Sequence, residues 1–496
     1  MAKIINRRNL LIGGTTALAG GYLYLNSGSS ALLSDKNIAG RIPLKMPPLM
    51  DATVTGKFQL TAQSGETEFF SGAKTATIGF NQSYLGPVVR VRQGGVQPTV
   101  NNQLSWPISS HWHGLVIPGD HDGGPHQGIE AGQSWSVDTE ISQQPTTAYF
   151  HTHMHGTTGR DVYHGLAGIL HVTDDQDNAR GLPTSYGVDD LTLVLQDRRF
   201  SQGGQLEYNT AMGDVMHGMT GDHVLINGQI DPVAVVPRSV VRLRLVNASN
   251  ARIFSLSMSD DRPMHLIATD GGYLPHPTPL ERLRLSPGER AEILIDFSDG
   301  NGVTLISDGD PNSGMGAMMG RARAILDRAT GMREFSVIPF VVDDRLERTI
   351  DKIPDQLDGS FADLANQDIV RTREFSLDMG IGGMMNGGGF AINGRAFQHN
   401  VINEKVHLGS VEKWIVRTNM LAHPFHIHGV LFQVLSENGK AALPESRGWK
   451  DTVVVDGETE LLVKFTQPAS EQSPYMYHCH ILEHEDAGMM GQFTVS

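Results

Sequence analysis

Short apolar runs bounded by turn residues recur along the whole chain. VVRLRLVNAS (240–249), AEILIDFSDG (291–300), LTLVLQDRRF (191–200) and ELLVKFTQP (460–468) are rich in Val, Ile, Leu and Phe and are closed by Gly, Asn, Asp or Pro. They read as strands. With 56 Gly, 24 Pro and few long helical periodicities, the pattern predicts an all-β chain of sandwiches or barrels. The apolar pattern thins near Asp174–Thr184 and again between Asp343 and Thr372. Blocks near 45–175, 180–345 and 365–496 result, matching the roughly three domains that a prior of about 150 residues each gives for this length. Two loops carry Met together with enough Gly to predict mobility: SGMGAMMG, with Met315, Met318 and Met319, and MGIGGMMNGGG, with Met379, Met384 and Met385.

The first residues follow a different logic. Lys3, Arg7 and Arg8 precede an apolar, Gly-rich run from Leu10 to Leu25 and then small residues such as Ser29, Ser30 and Ala31. Residues 1–35 read as an export signal, and Arg7-Arg8 followed by Asn9, Leu10 and Leu11 is similar to the twin-arginine type, which implies a periplasmic destination. That run is short for a span, and no other segment is apolar enough, so stable membrane insertion is not expected. A net charge of -15 without a run of Lys and Arg argues against nucleic acid and favours cationic substrates or metal ions. We expect a monomer. The single cysteine, Cys479, excludes an intrachain disulfide, and a lone thiol in an oxidising compartment is accounted for by a metal.

Histidine supplies the chemistry. Random placement of 21 His would give about one His-x-His pair. Five occur: His111/His113, His151/His153, His153/His155, His426/His428 and His478/His480, all in the first and last blocks. Residues i and i+2 on a strand share a face, so each pair turns two imidazoles to one site. Four of the pairs, leaving out His155, can offer eight imidazoles, which exceeds what one ion takes and implies a cluster of several. Cys479, between His478 and His480, must point the other way, to a second site. With His423, His484 and Met489 it completes the set of one thiolate, two His and a weak Met that makes a blue copper electron-transfer centre. Met490 is the alternative axial candidate. His155 reads as a neighbour of the ligands rather than one of them.

HWHG, HTHMHG, HPFHIHG and HCHILEHEDAGMM resemble the four copper-binding motifs of the multicopper oxidases. PGDHDGGP, LINGQ, VVRLRLVNASNAR, SENGK and GWKDTV are similar to the bacterial cuprous oxidase of copper tolerance. The resemblance covers nearly everything after the signal. It implies three consecutive cupredoxin-like Greek-key β-barrel or sandwich domains, with four copper ions and no ligand in the middle domain. His423, Cys479, His484 and axial Met489 would hold the type 1 copper, and His111 and His426 the type 2 copper. His113, His151, His153, His428, His478 and His480 would hold the paired type 3 coppers, in a trinuclear cluster between domains 1 and 3. Asp122 and Glu485 would carry protons. The implied reaction couples four one-electron oxidations of a reducing substrate to reduction of dioxygen to water.

The donor is less sharply marked. Phenols, aromatic amines and cuprous ion all suit such a centre. Leu377 stands where the cuprous oxidase has a substrate-binding Met and Asn419 where it has an Asp, which puts a dedicated substrate copper site in doubt. Two readings without turnover also follow from the resemblance: a copper-binding or storage protein, and a cell-division partner that keeps the fold but has lost copper ligands. The complete ligand set here speaks against the second.

Overall fold

A sheet that is apolar on one face buries it against another sheet, and this chain does so three times. The structure, a computed structural model, describes residues 40–208, 212–308, 334–360, 364–380, 389–418 and 420–496. The export-signal segment before Gly40 lies outside the described residues, as do Met315, Met318, Met319, Met384, Met385 and Asn419. Among the described residues no helix is long and apolar enough to cross a membrane.

Three large apolar cores follow one another along the chain: Ala52 to Val172, Leu191 to Phe340, and Phe375 to Val495 with Ala251 added. Each lies between two sheets. In the first block, a five-stranded sheet with Lys57–Phe70 and Gly94–Asn102 packs on a five-stranded sheet holding Val88–Arg92, Ala167–Thr173, Thr146–His151 and His111–His113. The middle block pairs a seven-stranded with a six-stranded sheet, and the last a six-stranded with a five-stranded one. In every block each sheet contains a parallel pair, such as Val88–Arg92 with Ala167–Thr173, Asp190–Arg198 with Val240–Asn247, and Ile369–Met379 with Val411–Thr418. The all-β expectation holds, with three β-sandwiches in series. Ile42–Pro43 pairs in parallel with Pro232 and Val233 and so joins the middle block's sheet.

One strand shows how the blocks are seated. In Val240–Asn247, Val241, Leu243 and Leu245 fill the middle core. The alternate residues Arg242 and Arg244 would ordinarily face water, yet both are buried. Their guanidiniums bind Glu292, Arg244 also binds Asp190 at 2.7 Å, and Glu292 accepts from the Thr147 hydroxyl at 2.7 Å. Burial alone would raise the Glu292 carboxyl, but Arg242 and Arg244 outweigh it and hold it down at about 2. Thr147 belongs to the Thr146–His151 strand, so this buried ionic face fixes a histidine-bearing strand of the first block against the middle one.

Candidate metal centre

Strand register sets the site. Thr146–His151 runs antiparallel to His111–His113 with His151 opposite His111 and Phe150 opposite Trp112. His423–Ile427 runs antiparallel to Tyr475–Cys479 with His426 opposite His478 and Phe425 opposite Cys479. Trp112, Phe150, Phe425 and Ile427 enter the apolar cores while the intervening histidines turn to the seam between first and last blocks. Period-two alternation thus produces both the cores and the site.

All eight imidazoles converge. His113, His151 and His480 form one group, His153, His428 and His478 a second, and His111 and His426 meet with His113 in a third. Within each group the ligand atoms lie within 4.8 Å of one another. All eight side chains are buried. Burial, reinforced by neighbouring imidazoles, holds His113, His151, His153, His428 and His480 well below the usual histidine range, and His426 at about 4. Neutral imidazole is the metal-binding form.

The outer hydrogen bonds fix which nitrogen faces inward. Nδ1–H of His111 donates to the Asp122 carbonyl at 3.0 Å, and that of His426 to the Asp451 carbonyl at 2.8 Å. Their Nε2 atoms, left as lone pairs, face each other at 3.4 Å. Likewise His478 donates from Nδ1 to its neighbour's carbonyl at 2.9 Å and His428 to the Asp122 carboxylate at 2.8 Å, while their Nε2 atoms lie 3.2 Å apart. His153 Nε2 is also 3.2 Å from His478 Nε2. His113 is reversed: Nε2 donates to Asp451 Oδ1 at 3.0 Å, and Nδ1 is buried without a partner, as is Nε2 of His151. Lone pairs aimed at lone pairs repel, and each buried acceptor without a donor costs about 1–3 kcal/mol. Cations between them would satisfy every one. These residues therefore fit a cluster of imidazole-loving metals such as copper.

Cys479 turns away from this cluster, as the alternation predicts. Its sulfur is 3.4 Å from His423 Nδ1 and 3.7 Å from His484 Nδ1, and those nitrogens are 3.3 Å apart. The Ile481 N–H donates to the sulfur at 3.3 Å. Burial pushes the thiol up and His423 down to about 3, so a thiolate here requires a metal cation. Met489 is fully buried in the same apolar cluster as Cys479 and Phe390. Met490 pairs across the sheet with His478, and His155 packs on Phe397, outside every ligand group. Leu377 is buried in the last block's core, and Met379 packs against it.

Both expected acids stand behind imidazoles. Asp122 Oδ2 reaches His428 Nδ1 at 2.8 Å and His111 Nδ1 at 3.3 Å. Its position depends on Gly123, whose φ of +78° suits glycine and where a Cβ would lie 1.8 Å from the Ser110 carbonyl oxygen. Glu485 lies 3.3 Å from His153 Nδ1 and 3.2 Å from His478 Nδ1, with both oxygens otherwise unpaired. Sequence reasoning passed over a third acid. Asp451, in GWKDTV, orients His113 through its side chain and His426 through its carbonyl, and is held bidentate by Arg290 of the middle block at 2.7 and 2.6 Å. Among the described residues the middle block supplies no member of the ligand groups, and yet its Arg290 anchors Asp451 behind the cluster.

Three β-sandwiches in series, with a His cluster where the first and last meet and a Cys–His–His pocket behind one of its strands, form the architecture of a multicopper oxidase. Multicopper oxidase family models match residues 61–177, 196–317 and 372–496, and the chain belongs to the multicopper oxidase family. It is similar to a laccase-like multicopper oxidase, CueO, from Ochrobactrum sp., with 41% identity and a TM-score of 0.83 over 92% of this chain and 100% of that one. McoA from Aquifex aeolicus is 29% identical with a TM-score of 0.80, again over 92% and 100%. The sandwiches are therefore cupredoxin domains, and family membership carries copper binding with it. Among curated relatives, the cell division protein FtsP of Yersinia pestis is 37% identical over 95% of this chain and 96% of that protein. FtsP of Escherichia coli is 34% identical over 99% of each.

Proposed function

We propose that this chain is an exported four-copper oxidase that takes single electrons at a type 1 copper and reduces dioxygen to water at a trinuclear cluster. The observation behind it is the set of eight inward lone pairs joined, through one strand, to a Cys–His–His trio facing the opposite way. His423, Cys479, His484 and Met489 hold the type 1 ion, His111 and His426 the type 2 ion, and the remaining six His the type 3 pair. Copper supplies the one-electron steps and the reduction of dioxygen. The chain supplies everything else. His478 and His480 flank Cys479 and link the two sites covalently. Asp122 and Glu485 hold protons at the Nδ1 side of the imidazoles. Domain limits are assigned at 45–175, 180–345 and 365–496, and residues 1–35 as a twin-arginine signal.

Phenols, aromatic amines and cuprous ion are the donor classes we assign. A second reading, a cell-division protein of this fold without turnover, has the names of the curated relatives behind it. The unbroken ligand set favours the oxidase. Copper analysis, a visible spectrum and an oxygen electrode on the purified, copper-loaded protein separate the two. Blue colour with donor-dependent oxygen uptake is expected, and a colourless protein that consumes no oxygen would overturn the oxidase reading.

A further inference from the structure

The imidazoles of the cluster are not all seated by the same parts of the chain. In the group His153, His428 and His478, each outer nitrogen meets Asp122 or Glu485, acids of the first and last blocks. The supports of the group His113, His151 and His480 converge instead on the middle block. His113 is reversed because Asp451 takes its Nε2–H, and Asp451 is itself placed by one buried carboxylate, Asp270, just past the strand Met264–Thr269. Asp270 Oδ2 accepts the backbone N–H groups of Asp451 at 3.3 Å and Thr452 at 3.4 Å, and pairs with the Lys450 ammonium at 2.9 Å. Its Oδ1 accepts the backbone N–H of Arg290 at 2.7 Å, and Arg290 in turn clasps Asp451. The Asp270 carbonyl accepts the Thr146 hydroxyl at 2.6 Å, and Arg290 Nε–H donates to the Thr147 carbonyl at 3.1 Å, both on the strand that carries His151. All three blocks therefore meet at Asp270, and the supports of His113 and His151 hang from that junction.

His480 is held differently. Neither of its nitrogens has a hydrogen-bond partner in the chain, so packing sets the pose of the ring. Gly288, in the turn before Arg290, supplies that packing: a Cβ there would lie 2.8 Å from His480 Cδ2, 2.9 Å from its Nε2 and 3.0 Å from His113 Cε1. Its φ of +84° also suits glycine. The Gly288 N–H donates to the Asn247 carbonyl at 2.9 Å and its carbonyl accepts from Arg290 at 3.0 Å, which fixes the turn against both rings.

We infer that the middle block, through Asp270, Gly288 and Arg290, positions the ligand group of one type 3 ion, His113, His151 and His480, while Asp122 and Glu485 position the group of the other. The three are positioning residues, and the assignment of a type 3 ion to each group rests on the oxidase reading.

Three variants of the full chain test the inference. Gly288→Ala drives a methyl group at His480 and His113, and Arg290→Lys withdraws one arm of the clasp on Asp451 while keeping the charge. Leu305→Ala, which opens a cavity inside the middle core, is the control for lost stability alone. In the copper-free chain with isotope-labelled histidine, nuclear magnetic resonance should show His113 protonated at Nε2 in the parent and moved toward the Nδ1 form in Arg290→Lys. The His480 resonances should shift in Gly288→Ala, with His153 and His428 unmoved in both variants. In the copper-loaded chain, both variants should lose about one ion per protein and keep the blue band. EPR-detectable copper should rise about 1.5-fold, because one member of a silent coupled pair is left to signal alone. Unmoved His113 and His480 resonances, equal movement of the His153 group, or the same changes in Leu305→Ala would overturn the inference. A parent protein that takes up no copper sinks the oxidase reading instead, and the copper-free resonances still decide which block seats the rings.

Discussion

Carboxylates and carbonyls surround the imidazole cluster, whereas hydrocarbon surrounds the thiol pocket. Behind the eight histidines stand Asp122, Asp451 and Glu485, with Arg290 and Thr452 behind Asp451. Around Cys479 lie Phe390, Phe425, Ile481 and Met489, with a single backbone N–H on the sulfur. The cluster spans two domains, and the pocket sits inside one core. This division fits a centre that must accept protons together with electrons and a centre that must accept electrons alone. Polar outer partners can carry protons, and a dry pocket lowers the reorganisation that follows each electron.

Removing the sulfur separates the two regions most severely. Cys479→Ser should abolish the blue colour and all turnover with any donor, while the cluster histidines still retain their copper. Metal analysis should then find one ion fewer than in the parent, about three against an expected four or so. Surviving colour or turnover would break the assignment of the pocket.

Acid should strike the ionic face between the first and middle blocks, which seats the His151 strand, before the pocket. Glu292 is held at about 2 in the folded chain against an ordinary 4.5. Its ion pairs therefore stabilise fully above pH 4.5, and that contribution, about 3 kcal/mol, is lost as pH falls toward 2. Glu292→Gln, which leaves Arg242 and Arg244 short of a buried partner, should destabilise by about 3–5 kcal/mol at neutral pH and flatten the dependence below 4.5. Thermal unfolding across that range checks both. An unchanged acid profile would detach the Arg242–Arg244 face from the seating of the His151 strand.

The two regions were not equally legible in the sequence. His-x-His spacing and the position of Cys479 are purely local, so the alternation of a strand was enough to separate cluster from pocket. The ionic face between the first and middle blocks was not legible, because Arg242 and Arg244 alternate with Leu243 and Leu245 like any half-solvated strand, and only the packing of two domains buries the charged side. Asp451 and Arg290 meet across 161 residues, a pairing no local pattern announces. His484 Nε2 lies 3.3 Å from the backbone carbonyl of Met216, a contact that leaves no side-chain signature. The helices Thr158–His164, Met212–His217 and Leu482–Asp486 are too short to display a helical period.

Proton delivery sharpens the comparison further. Glu485 touches His153 and His478 with both oxygens otherwise unpaired, the position from which it is proposed to pass protons. Glu485→Gln should slow oxygen reduction about 100-fold, a usual size for a lost acid–base group, with the blue absorption and donor KM preserved. Stopped-flow reoxidation measures the step directly. Full-speed reoxidation would remove Glu485 from the proton path and leave it an orienting partner of the two imidazoles.

The smallest effect probes the dry pocket itself. A thioether is a weak axial ligand, so exchanging it alters the potential of the centre more than its assembly. Met489 shares the buried cluster with Cys479, whereas Met490 lies in register with His478 on the neighbouring strand. Met490 opens the last strand and, directly opposite His478, shares that histidine's face, whereas Met489 precedes the strand and packs in the cluster that holds Cys479. Met489→Leu should therefore raise the potential of the blue centre and change turnover by less than about tenfold, and Met490→Leu should leave the potential where it was. Redox titration followed at the blue band distinguishes them. A shift in the second variant and not the first would transfer the axial role to Met490 and reverse the facing of the last strand at its start.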